Sequence, residues 1–404
     1  MRRLVPPAGP VRVLAAAQLA DAVGLGGYLV CSALYFTRVV GLSATQVGFG
    51  LTVGWAVGLL AGVPLGHLAD RRGPRGVAMV LAVVVATALL LFLTVRSFVP
   101  FVLVASLYGA AQCGLVAARQ ALLAALVPAA ERTAVRAVLQ VVINGGLAVG
   151  GAFGGLALHL DSAPAYLTVL AVDALGVLAS AALLSSLPPV PATPRAPAGQ
   201  PAPTVLRDRP YVLLTALNMV LQLHIPLITL ATPLWIIEHT AAPRWTVAVL
   251  LVLNTASVVL FQVRVARRVH DLESAGRQVR GAGVFLLLAC AAFAASAAGS
   301  SPWVALVVLV VAAALQVVAE MMQASGAWQI SFDLAPPGRH GQYQGFFGSG
   351  FAVARMLGPL LLATLVLEGG TAGWLLLGAA FLSAGVATVP AVRMAAPTAT
   401  PPRR

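Results

Sequence analysis

Gly66-His67-Leu68-Ala69-Asp70-Arg71-Arg72-Gly73-Pro74-Arg75 separates two apolar runs, residues 44 to 67 and 76 to 96. Three arginines, one acid and a Gly-Pro break in ten residues form a short polar connection. Each flank is long enough to cross a bilayer as a helix, which takes roughly 18 to 20 apolar residues. Within the connection, Gly66 permits close helix approach and Gly73 a tight turn. Asp70, at the membrane edge, is suited either to accept from a neighbouring helix N-terminus or to pair with an arginine. The remainder of the chain repeats the arrangement. Of 404 residues, 60% are hydrophobic and 9% charged, with mean hydropathy +0.94. A soluble domain carries about 25% charged residues, so a water-soluble globular protein is excluded.

Gaps containing Pro, Gly or Arg divide the chain into twelve predicted spans: 11 to 38, 44 to 67, 76 to 96, 98 to 127, 134 to 158, 164 to 187, 211 to 238, 245 to 263, 281 to 299, 302 to 330, 341 to 366 and 371 to 393. The expected fold is all-α, a polytopic membrane protein in the lipid bilayer. All 25 basic residues are arginine, for a net charge of +13. A nucleic-acid partner is not expected, because these arginines lie in the gaps and form no stripe. With the N-terminus in the cytoplasm, twenty arginines fall inside and only Arg38, Arg96 and Arg244 outside; Arg119 and Arg355 lie within spans. The asymmetry orients the chain with both termini cytoplasmic and requires an even number of helices. The first run continues to Arg38 with no polar domain after it, and so reads as a retained helix and not a signal peptide. Cys31, Cys113 and Cys290 are isolated in apolar segments, which argues against disulfides or a metal site. No cofactor is expected.

The polar stretch Pro188 to Pro210, with PPVPATPRAPAGQPAP, favours an extended chain. It divides the protein into an N-terminal six-helix half, 1–187, a cytoplasmic Pro-rich linker, 188–210, and a C-terminal six-helix half, 211–404. GLAVGGAFGG from Gly146 and GFAVARMLGP from Gly350 share residues in register, and Gln112 meets Gln316 at the same offset of 204. The two halves are therefore read as related, an arrangement used by many secondary transporters.

The connection after the second span resembles the signature of the major facilitator superfamily, G-x-[LV]-x-[DN]-R-x-G-[RK]-[RK]. Gly66, Leu68, Asp70, Arg71, Gly73 and Arg75 fit it, and Pro74 stands where a basic residue is usual. A weaker counterpart, Arg267-Arg268-Val269-His270-Asp271 with Gly276-Arg277, follows the eighth span with drifted spacing. In span five, Gly146, Gly150, Gly154 and Gly155 resemble the antiporter motif of the family's twelve-helix drug/proton exporters, with Gly151 in place of its proline. Glycines four apart are equally natural as a plain helix-packing face. The family's span-four pattern is incomplete: Gln112 fits, while Gly109 and Cys113 replace its arginine and glycine.

Polar residues recur at helical spacing in four spans: Gln18, Asp21, Tyr28, Ser32 and Tyr35 in the first; Tyr108, Gln112 and Arg119 in the fourth; Asn218, Gln222, Thr229 and Thr232 in the seventh; Gln316, Glu320 and Gln323 in the tenth. The resemblance implies that these four helices line a substrate cavity. Asp21 lies roughly 15 Å along its span at 1.5 Å per residue, near mid-bilayer, and Glu320 is central in a long span. Charge at such depth is costly, so each acid is either a proton-coupling site or one member of a fixed pair with Arg119 or a glutamine. Asp173 lacks a polar stripe and reads as structural. Arg355 reads as a partner for a buried carboxylate, and His224 as a packed histidine.

No nucleotide-binding loop or catalytic constellation is present, so an enzyme is not expected. The expected function is proton-coupled export of small amphiphilic molecules such as drugs or natural products, by alternating access, from a monomer in the cell (inner) membrane. The alternatives are an importer or facilitator of a small metabolite and, from another class, a membrane enzyme or transport-derived sensor. The orientation is tested by reporters fused after Arg404: green fluorescent protein should fluoresce and alkaline phosphatase should stay inactive. An active phosphatase would reverse the topology.

Overall fold

The computed structural model describes residues 9–192, 205–299 and 301–395. Residues 193–204 of the expected linker lie outside these, as do both chain ends. Among the described residues the regular structure is entirely helical. The membrane-length helices are α1 (Pro10–Leu34, continued by a π-helical turn Tyr35–Val39), α2 (Ala44–Arg72), α3 (Pro74–Phe92), α4 (Phe98–Leu126), α5 (Arg132–Leu160) and α6 (Ala163–Ser185). They continue with α7 (Arg209–His239), α8 (Thr246–Ala266), α9 (Leu272–Ala295), α10 (Pro302–Asp333), α11 (the bent pair His340–Gly358 and Leu360–Glu368) and α12 (Gly370–Ala395). Eleven described helices are long and apolar enough to cross a membrane, and the bent pair makes twelve if it is one span. In hydrocarbon each backbone N–H and C=O must be bonded within the protein, and a helix does this within one segment.

Local chemistry sets the helix ends. Ser43 caps α2 reciprocally with Gln46: the Gln46 N–H donates to Ser43 Oγ at 3.2 Å and the Ser43 N–H to Gln46 Oε1 at 3.0 Å. Prolines stand in the first turn of α1, α3, α6, α7 and α10, where a missing N–H costs nothing. The ninth span starts at Leu272 and not at 281, because Asp271 accepts the Ser274 N–H at 2.7 Å and caps the helix. The Ser274 hydroxyl first, and then that backbone bond, hold the Asp271 carboxyl below the usual carboxylate range. In α7, the α-helix to Gln222 gives way at Pro226 to a π-helical turn, Leu227–Ala231. The proline removes a backbone donor and opens the ladder there.

The helices form two compact units. One contains α1 to α6 with Thr255–Val263 and Pro337–Gly358; the other contains α7, α9, α10 and α12 with the remaining parts of α8 and α11. These units therefore differ from the linear division at residues 188–210. In the first unit α1 packs on α5 and α6, α2 on α4, α3 on α4 and α6, and the His340–Phe347 segment on α2 and α4. In the second, α9 packs on α10 and α12, and α12 on α7. Its aromatic core stacks Phe293 on Trp374 at 4.9 Å, and Trp235 Nε1 donates to the Phe293 carbonyl at 3.1 Å.

Glycines determine how closely helices approach in the first unit. Along α2 they recur every four residues: a Cβ at Gly50 would strike Phe101, at Gly54 the Ala105 carbonyl, at Gly58 the Gly109 carbonyl, at Gly62 the Gly345 carbonyl and at Gly66 the Gly341 carbonyl. The span-five glycines behave likewise against α1. A Cβ at Gly146 would meet Ala22, at Gly150 the Val23 carbonyl and at Gly154 Val30 and Gly27. Gly155, grouped with them from sequence, is corrected: a Cβ there has nothing within 4 Å, since the residue sits one position off the packing face. At one helix connection, Asp161 caps α5 in the left-handed region at φ 39°, accepts the Tyr166 hydroxyl at 2.6 Å and pairs with Arg38. The Tyr166 bond first, then the Arg38 bond, hold its carboxyl below the usual range.

Gly150→Val and Gly155→Val test this packing. The first should lower the unfolding free energy by about 1–3 kcal/mol or prevent assembly, and the second should leave thermal stability in detergent unchanged. Equal stability of the two variants would contradict the α1–α5 contact.

Candidate functional site

In the first unit, one buried polar centre joins three helices. Arg119 Nη1 on α4 contacts Asp21 Oδ2 on α1 at 2.5 Å, Nη2 donates to Ser180 Oγ on α6 at 2.9 Å, and Gln18 Oε1 lies 3.5 Å from Nη1. The side chains of Arg119 and Asp21 are only 6% and 9% exposed. Gln18 and Asp21 reach one arginine because residues three apart share a helix face. Arg119 Nε and Gln120 Oε1 are buried without a partner, beside a small void lined also by Leu14, Leu123 and Leu139. Burial makes this pair consequential: with the partner gone, either charge is left uncompensated in a low-dielectric interior.

Farther along the stripe, Tyr28 and Tyr108 face each other with ring centroids 5.6 Å apart, and both are buried. Gln112, one turn from Tyr108, is half-buried with Oε1 lacking a partner. Tyr35 is corrected: it lies on the same face of α1, but that face is covered there by Phe92 of α3. Its ring is fully buried and its hydroxyl donates to the Phe92 carbonyl at 3.0 Å.

The polar connection from Gly66 to Arg75 is also built into this unit. Asp70 accepts the Gly341 N–H at 2.7 Å and the Gln342 N–H at 2.9 Å. It therefore caps the first segment of α11 from another helix, satisfying donors that no capping side chain at Arg339 reaches. Gly73 takes φ 90°, which glycine adopts without strain, and Arg75 donates to the Ser185 carbonyl at the end of α6. Arg71 is exposed. Asp271, the counterpart in the second half, caps its own helix instead, which accounts for the drifted spacing.

In the second unit Gln323 Nε2 donates to Asn218 Oδ1 at 2.7 Å, so those two stripe residues bond to one another. Gln316 is fully buried; its Nε2 donates to the His224 carbonyl at 3.2 Å while Oε1 has no partner. His224 Nδ1 lies 2.7 Å from the Leu221 carbonyl, so this histidine is bonded locally. Gln222 is half-buried. Glu320 accepts from Asn254 Nδ2 at 2.8 Å. Its partner is a neutral amide, and among the described residues no cation forms an ion pair with this carboxyl.

One polar row lies outside the four stripes. Arg136, Gln140 and Asn144 form a ladder along α5, with bonds of 3.4 and 3.2 Å between successive members; their spacing of four was the available signal. Asp173 is 1% exposed, packs against Gly24, and leaves Oδ2 without a partner. Arg355, expected to partner a buried carboxylate, is corrected: among the described residues it has no ion pair and lies against Trp55 and Phe351 instead.

A bundle of membrane-length helices with charged and amide groups buried inside is the construction of a polytopic transporter. Residues 14–359 match the sequence profile of the Major Facilitator Superfamily, and the chain belongs to that family. It is a multi-pass membrane transporter, not an enzyme. No curated protein matches it by sequence. Among solved structures it is similar to the human organic anion transporter MFSD10, at 21% identity and TM-score 0.70, covering 96% of this chain and 99% of that one. It is also similar to a bacterial homologue of the iron transporter ferroportin in an outward-facing state, at 15% identity and TM-score 0.76, covering 95% and 98%. A third is the E. coli fucose:proton symporter FucP, at 13% identity and TM-score 0.71, covering 96% and 99%. At these identities the likeness is one of fold.

Paired substitutions measure the buried centre. Arg119→Leu alone should destabilise the protein by roughly 3–5 kcal/mol, because it strands the Asp21 charge. Adding Asp21→Leu should recover most of that loss in a melting experiment. If the double variant is as unstable as the sum of the singles, the two side chains are not coupled.

Proposed function

We propose that the protein is a proton-coupled exporter of small amphiphilic molecules that works by alternating access. The proposal takes it to act as a monomer in the inner membrane with both termini cytoplasmic. The observation that carries this reading is the buried Asp21–Arg119 pair. When Asp21 binds a proton its carboxylate becomes a neutral carboxyl, and Arg119 loses its counter-charge. The guanidinium is then held by Ser180 and Gln18 alone. Protonation thus changes which contacts hold α1 to α4, which is what coupling a proton to a conformational change requires. Glu320, held by a neutral amide, is the second proton-coupling site in the proposal.

Gln18, Tyr28, Tyr108, Gln112, Arg119, Asn218, Gln222, Gln316 and Gln323 are the proposed substrate-contacting residues. The unpartnered amide oxygens of Gln112 and Gln316 support this assignment, because buried polar atoms ordinarily have partners and a substrate donor would supply one. The export direction rests on the span-five glycines. Gly146, Gly150 and Gly154 pack against residues 19–30 of α1, the stretch that carries Asp21, so the motif and the acid share one contact. Asp70, with Gly66, Arg71, Gly73 and Arg75, is assigned to conformational cycling. Its two bonds to α11 form or break as a unit when those segments separate.

Asp21→Asn and Glu320→Gln each keep shape while removing a titratable proton. Both variants should reach the membrane yet lose concentrative transport in proteoliposomes with an imposed pH gradient. Concentration of substrate by both variants at the wild-type level would sink proton coupling at these sites. Substrate that moves with the proton and not against it would replace export by import.

A further inference from the structure

Arg355 is a cation within a span, and among the described residues no carboxylate lies within 4 Å of its guanidinium. What surrounds it is aromatic. Its guanidinium carbon lies 5.3 Å from the centroid of Trp55 and 4.9 Å from that of Phe351. Those two rings meet edge to face at 6.1 Å and 83°. All three residues belong to the first unit.

The charges around this group decide what it can bind. Arg119 has its counter-charge in Asp21, whereas Arg355 has none beside it. Among the described residues Asp173, another buried acid of this unit, makes no ion pair with Arg355. Cation–π contact offsets only part of the cost of an unpaired cation in hydrocarbon. Held by its faces, a guanidinium keeps N–H donors at its edge, in the fork that fits the two oxygens of a carboxylate. The missing counter-charge is therefore one that a ligand can bring, and the rings supply an apolar surface for the body attached to it.

We propose that Arg355, Trp55 and Phe351 form a binding subsite for the carboxylate of an amphiphilic organic anion with an aromatic body. This rests on the reading of the chain as a carrier of small amphiphiles and assigns the sign of the charge that its substrate carries.

The test uses the full-length protein in phosphatidylcholine nanodiscs and three probes on one ring: 1-naphthaleneacetate, 1-naphthaleneacetamide and 2-(1-naphthyl)ethylammonium. Titration should show the acetate binding at least about tenfold tighter than the other two, a gap of 1.4 kcal/mol. Inorganic phosphate at equal ionic strength should not compete, since it lacks the apolar body. In Arg355→Gln the preference for the acetate should vanish, and Arg355→Lys should keep part of it. Equal or tighter binding of the ammonium, competition by phosphate, an unchanged preference in Arg355→Gln, or no binding of the acetate would each overturn the subsite. The wild-type probe series needs no variant to fold. In proteoliposomes, acetate that binds but is not moved by a proton gradient would sink the export reading alone. Gradient-driven movement of the ammonium probe without acetate binding would sink the anion subsite alone.

Discussion

Backbone touching backbone along α2 is the contact on which the first unit depends. In lipid, helices gain little from hiding apolar surface, because the surrounding tails are equally apolar, so association relies on close van der Waals approach and polar contacts between helices. Glycine every fourth residue from Gly50 to Gly66 gives α2 a face without side chains. Carbonyls of α4 lie against its first half and carbonyls of the first α11 segment against its second. Such an approach brings Cα–H groups to carbonyl oxygens, a weak interaction that gains from repetition. It also sets the distance at which Asp70, one turn beyond Gly66, meets the N–H groups of Gly341 and Gln342.

The internal charges follow a second constraint, that ions in an apolar interior need a counter-charge or hydrogen bonds. Arg119 has a carboxylate, a hydroxyl and an amide around it; Glu320 has one amide; Arg355 has aromatic faces. These are three degrees of compensation. On the proposed reading, the matched pair is the one a proton exchanges, and the guanidinium held only by rings is the one a ligand completes. One fold thus holds charges in different states of compensation, and a fold by itself does not assign them a function.

Part of the arrangement at the candidate site was legible, because helical period and composition carry it. Gln18 and Asp21 at spacing three reach one arginine, and Asp70 was expected to take either a helix N-terminus or an arginine. The structure selects the helix N-terminus. Other assignments depended on what covers a face. Tyr35 continues the polar stripe of α1 by angle, yet Phe92 lies over it. Gly155 follows Gly154 in a motif, yet a rotation of 100° turns it away from α1. Asp271 occupies the place of a second Asp70, but with Ser274 three residues on it forms a local cap, and a local bond needs no partner helix.

By itself the sequence determined that the chain crosses the membrane many times as helices, how many spans it has, which loops are basic, and which spans carry polar stripes. Those are properties of runs and periods, settled within tens of residues by the price of exposing backbone and charge to hydrocarbon. Only the tertiary structure decided that Asp21 meets Arg119 and Ser180, that Asp70 meets the start of α11, that Pro337–Gly358 packs with α1 to α6, and that Arg355 rests on Trp55. Each is a pairing between residues 61 to 300 positions apart. The pattern of one helix does not encode such a pairing, because it arises where two surfaces fit closely enough to exclude lipid and water together.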